Sequence, residues 1–141
     1  MHPPDPTPRH GGRTQLRIAI VDNSPAMTKS LTDFLQTMPN IALATVAATG
    51  AEAIEVCSRF KPHLILLDFA QPRIDGRDAA EALRRLCPGT RVVMISHYAP
   101  FLAEAGLWPG VDAIVDILDL GRKLPGLIDR LFPAQQQEGT S

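Results

Sequence analysis

Five short apolar runs, at 16–21, 41–47, 64–67, 92–95 and 111–115, punctuate this 141-residue chain, with helical spacings between and after them. The runs are nearly continuous in apolar character. That is the pattern of parallel strands covered on both faces, whereas a half-exposed antiparallel sheet alternates. Between the first two runs, Met27, Leu31, Phe34, Leu35 and Met38 recur at helical intervals and define one apolar face. Ser24 is a good N-cap for that helix, with Pro25 at its first position. Thr49 and Glu52 stand at capping-box spacing ahead of a second helix that runs to about Phe60, with Ala53, Ile54 and Cys57 inward. A third offers Ala79, Ala82, Leu83 and Leu86 and stops before Pro88-Gly89; a fourth, around 100–105, is short and weakly patterned. A fifth carries Leu124, Leu127, Ile128 and Leu131 on one face, and Pro125 requires it to begin late, because proline is harmless only in a first turn.

Strand–helix alternation repeated five times predicts an α/β fold: a flavodoxin-like, doubly wound (βα)5 domain with a five-stranded parallel sheet in the order 2-1-3-4-5. Its extent is 16–132. The head, 1–15, has Pro3, Pro4, Pro6, Pro8, Gly11 and Gly12 and only Met1 as a large apolar side chain. It cannot repay its ordering entropy and is expected to be disordered, and the tail 133–141 is expected to be flexible. A net charge of -1 argues against a nucleic-acid or membrane surface built on bulk positive charge. No apolar run reaches the length of a membrane span, and the N-terminus has no signal-peptide core. Cys57 and Cys87 are too few for a disulfide scaffold and suit a reducing compartment, so the expected location is cytoplasmic. There is no zinc spacing and no glycine-rich phosphate loop after the first strand.

In doubly wound sheets the site lies beyond the carboxyl ends of the strands. There stand Asp22 and Asn23 after the first run, Asp68 after the third, and Ser96 and His97 after the fourth. The first and third runs are neighbours in the proposed order, so Asp22 and Asp68 converge. Their repulsion would be relieved by a cation, and oxygen ligands with a carboxylate focus suit Mg²⁺. Either aspartate alone also reads as a turn cap. His63, ahead of the third strand, reads as a solvated loop residue. Trp108-Pro109 reads as a packed loop anchor, and Arg84, Arg85 and Arg91 as a solvated face.

The segment IAIVDNSPAMTKSL resembles the opening of response-regulator receiver domains, and KPHLILLDFAQPRIDGRDAAEALRR resembles their phosphoacceptor strand and loop. The family spacing of an apolar pair, Asp, three residues, Pro, two residues and Asp-Gly is complete here as Leu66-Leu67-Asp68, Pro72 and Asp75-Gly76. TRVVMISHYA and GVDAIVD resemble the fourth and fifth strands. The resemblance implies that Asp68 accepts phosphoryl from a histidine kinase or histidine phosphotransfer protein, an aspartate being a known phosphoryl nucleophile. It implies further that Asp22, Asn23, Asp68 and the main-chain carbonyl of Ala70 hold Mg²⁺ and that Ser96 is the switching hydroxyl. The resemblance also implies that Pro72, Asp75 and Gly76 shape the turn, and that a face of the fourth helix, fifth strand and fifth helix carries output or homodimer contacts.

Four positions depart from the pattern. Asn23 replaces the family's second acid, which removes one charge from the metal site. Ile117 replaces the fifth-strand lysine, and Ile114 the aromatic switch residue. His97 stands at the pocket rim, where a small residue usually keeps the mouth open. The expectation is therefore a stand-alone receiver domain, not an enzyme, that signals by protein binding with weakened Mg²⁺ chemistry. The alternative is a pseudo-receiver that binds partners independently of phosphate. A haloacid-dehalogenase-type phosphatase needs a second acid two residues after the nucleophile, where Ala70 stands.

Overall fold

A computed structural model describes residues 9–10, 13–68, 76–97 and 110–133. Five parallel strands form the centre: β1 (Leu16–Val21), β2 (Ile41–Ala47), β3 (Leu64–Asp68), β4 (Arg91–Ser96) and β5 (Ala113–Asp116), in the order β2-β1-β3-β4-β5. This is the expected order, and it places the strand that ends in Asp68 at the middle. Alternate strand residues point to opposite faces, and two cores result. On one side Leu16, Ile18, Ile20, Leu64, Leu66, Val93 and Ile95 pack beneath α1 (Pro25–Leu35) and α4 (Leu120–Leu131). On the other, Ala19, Val21, Ile65, Leu67, Val92 and Met94 pack beneath α2 (Gly50–Phe60) and α3 (Gly76–Leu86). Covering on both faces explains the unbroken apolar runs.

The helix starts follow the capping chemistry. Ser24 Oγ accepts from the Met27 amide at 3.2 Å, with Pro25 first in the helix. Thr49 Oγ1 accepts from the Glu52 amide at 3.1 Å, while Glu52 reaches back to the Ala48 amide at 2.9 Å, one residue earlier than in the usual box. The last helix departs from expectation. It does not begin late: a turn of 3₁₀ helix at Ile117–Asp119 leads directly into Leu120, leaving Pro125 inside α4. Pro125 and Gly121, whose carbonyl loses its helical donor, are both exposed, so water can satisfy that carbonyl. In the head, Arg9–His10 pairs antiparallel with Arg13–Thr14, a departure from the expected absence of structure through residue 15; Gly11-Gly12 between them is a composition that favours tight hairpins. The expected fourth helix, Trp108-Pro109 and nearly all of the tail lie outside the described residues. No described helix is long and apolar enough to cross a membrane.

Gly110 fixes the approach to β5. It has φ +82°, and a Cβ there would lie 2.4 Å from the carbonyl oxygen of Ala80 in α3. Only glycine meets both constraints.

Candidate functional site

The strand register brings the polar residues to one edge. Val21 pairs with Leu67 and Asp68 with Ile95, so Asp22 and Asp68 are level on adjacent strands and Ser96 lies one residue further along the next. Neighbouring strands are about 4.8 Å apart. Asp22, Asp68 and Ser96 are 2%, 5% and 1% exposed. The only other buried polar side chain among the described residues is Asn40, so nearly all buried polarity there is concentrated at this edge. Burying two carboxylates side by side costs several kcal/mol unless partners or a cation compensate, a cost that folding alone gives no reason to incur.

Each side chain has a local anchor. Asp22 Oδ1 accepts from the Ser24 amide at 2.7 Å, which ties the end of β1 to the start of α1. The capping reading and the pocket reading of Asp22 thus hold together. Asn23 is exposed beside it, on a cleft of about 390 Å³ lined also by Pro25, Thr28, Lys29, Val46 and Ala48. His97, first after β4, reaches back over the site and sets Nε2 3.2 Å from Asp68 Oδ1. The rim residue therefore touches the central carboxylate.

Ile117 begins the 3₁₀ turn after β5 and packs against the core shared by α1 and α4, while Ile114 packs on the α2/α3 side. Of the chain's three lysines, Lys29 lines the cleft beside Asp22 and Asn23. Lys29 pairs with Asp33 at 2.8 Å, Lys123 with Asp119 at 3.7 Å, and Lys61 ends α2 in the left-handed conformation. Asp119 is held below the usual carboxylate range by its hydrogen bond from Arg122. Ala70, Pro72 and Asp75 lie outside the described residues, and Gly76 opens α3.

The donor set suits a hard divalent cation in kind: two level carboxylates and an adjacent amide oxygen. It is poor in charge. Among the described residues no group of three or more His, Cys, Asp or Glu side chains could hold a metal, and position 23 offers an amide oxygen in place of a carboxylate.

The opposite pole holds features with no local sequence signature. His63 is half-buried, not a solvated loop residue: its Nδ1 accepts from the Arg17 amide at 2.9 Å and its amide donates to the Arg17 carbonyl at 2.8 Å. Burial, reinforced by the Arg17 charge, pushes its pKa below the ordinary value. A cavity of about 470 Å³ between α2 and α3 lies there, bordered by His63, Cys57 and Cys87. Burial and the hydrogen bond with Cys57 push the Cys87 thiol up to about 12, which makes it a poor nucleophile at neutral pH. No local signal marks the His63 contact, since its partner is 46 residues away.

Residues 18–116 match the response regulator receiver domain family, and the chain belongs to it. Receiver domains are signalling modules of two-component systems. Over 107 residues the chain is 34% identical to a protein-glutamate methylesterase/protein-glutamine glutaminase of Geobacter sulfurreducens, a match covering 76% of this chain and 27% of that protein. The chain thus spans about a quarter of the length of that relative. Among solved structures, it resembles the response regulator domain of CheB from Thermotoga maritima (TM-score 0.68, 25% identity, 86% of this chain and 97% of that one). It also resembles a CheY-like receiver domain protein from Methanospirillum hungatei (TM-score 0.68, 26% identity, 89% and 99%).

Proposed function

We propose that this domain accepts a phosphoryl group on Asp68 from a histidine kinase or histidine phosphotransfer protein, and signals by binding another protein instead of by catalysis of its own. The observation that carries this is the burial of Asp68, at the end of the central strand, level with Asp22 and next to Ser96. In this reading an Asp68 carboxylate oxygen attacks phosphorus, the P–O bond to acetate or P–N bond to histidine breaks, and the Ser96 hydroxyl donates to a phosphoryl oxygen. Asp22, Asn23, Asp68 and the Ala70 carbonyl would hold Mg²⁺, which would neutralise phosphoryl charge when bound. With one carboxylate missing, that binding is weak. The site works in the cytoplasm, where phosphodonors are made.

The output surface in this reading includes β5 and α4. Leu118, between them, is 90% exposed and adds one apolar side chain to that surface.

Incubation with acetyl phosphate and Mg²⁺ tests the proposal. One phosphoryl group should appear by intact mass, be removed by hydroxylamine, and be absent in Asp68→Asn. A pseudo-receiver shows no mass gain. That alternative draws on Ile117, which supplies neither charge nor donor where phosphoryl charge would accumulate.

A further inference from the structure

We propose that His97 is a latch on the phosphoacceptor: its imidazole holds Asp68 in a closed arrangement and must leave before the carboxylate takes up a cation or a phosphoryl group. The inference rests on the reading of Asp68 as phosphoacceptor and adds how that site is regulated. Its basis is the contact between Nε2 of His97 and Oδ1 of Asp68, at 3.2 Å.

A carboxylate has two oxygens. Acceptance of phosphoryl uses one as nucleophile, and in the proposed pocket the other faces the cation. With Nε2 on Oδ1, an incoming cation or phosphoryl group meets the imidazole at one of those oxygens. The two residues are also unequally placed. Asp68 is 5% exposed at the end of an internal strand, whereas the His97 side chain is 36% exposed and lies at the mouth of the site. The carboxylate is fixed and the imidazole is free to swing out without opening the core. His97 is therefore the movable part, and departure of the ring exposes the reacting oxygen. A partner that draws the imidazole onto its own surface would open the site, which couples docking to acceptance.

The contact competes directly with the cation, so metal binding reads it without any phosphoryl chemistry. Mg²⁺ titrated into the full chain, followed by amide and imidazole NMR, should move the His97 ring signals together with the Asn23 and Ser96 amides. In His97→Ala, Mg²⁺ affinity should rise about fivefold, the factor that one net hydrogen bond is worth. Labelling by acetyl phosphate at subsaturating Mg²⁺ should accelerate similarly. His97→Gln, whose amide also donates, should stay near wild type. Unchanged or weaker Mg²⁺ binding in His97→Ala overturns the latch, as do ring signals that ignore Mg²⁺. If affinity rises as stated but no protein takes up phosphoryl, the latch stands and the phosphoacceptor reading fails.

Discussion

Arg17 and His63 exchange two hydrogen bonds at the base of the sheet: the His63 amide donates to the Arg17 carbonyl at 2.8 Å, and the Arg17 amide donates to His63 Nδ1 at 2.9 Å. The same arginine side chain reaches the carbonyls of Phe60 and Lys61 and closes the end of α2. An imidazole that accepts at Nδ1 is neutral. Protonation would remove the acceptor and set a cation beside Arg17.

The pH dependence follows from the downward shift of His63. Above its ordinary pKa of about 6.5 both folded and unfolded chains hold it neutral, and its stabilising contribution is complete. As pH falls below that value the unfolded chain takes up the proton first, so stability falls until the folded pKa is passed. Urea denaturation between pH 7.5 and 5 should show this loss in wild type, and His63→Gln should flatten it. An unchanged slope in the variant would remove His63 as the cause.

Gly110→Ala should lower stability by about 2–3 kcal/mol, since it combines a positive φ with a Cβ pressed into the α3 backbone. Gly89→Ala is the control, because nothing lies within 4 Å of its Cβ position. Thermal unfolding should separate the two by roughly 5–15 °C.

Asn23→Asp should tighten Mg²⁺ about tenfold. A unit charge about 4 Å from a unit charge is worth ~4 kcal/mol at an effective dielectric of ~20, and desolvation consumes most of it. Equal affinities by calorimetric titration would show that position 23 is not a ligand.

Ile117 packs against the α1/α4 core, so phosphorylation should move β5 and the start of α4 little. An equilibrium shifts only by the differential affinity of the phosphoryl group for its two states. Ile117→Lys should enlarge the response to a phosphoryl mimic while costing about 1 kcal/mol of stability from lost packing. Large amide shifts across 113–120 in wild type would contradict this.

The features legible in the sequence are those with short-range or strictly periodic signatures. The five apolar runs announced buried parallel strands, and the order followed from crossover geometry. Ser24 and Thr49 announced their helices because a cap acts within three residues. Asp22, Asp68 and Ser96 could be placed together because every parallel strand ends at the same edge. Other features depend on contacts that no local pattern records. His63 looked like a loop residue because its partner sits on another strand. His97 could be placed at the rim, but its reach to Asp68 depends on how the chain leaves β4. The start of α4 is not legible locally, because Pro125 argues for a late beginning while burial of Leu120 and Leu124 holds the earlier turn in place.

Borohydride trapping tests the central claim most directly. An aspartyl phosphate is reduced to homoserine, and tandem mass spectrometry then reads which residue carried it. After acetyl phosphate and Mg²⁺, homoserine should appear at position 68 and nowhere else, with none in Asp68→Asn. Homoserine at another acid, or none at position 68 under conditions that label a control receiver domain, would contradict the account.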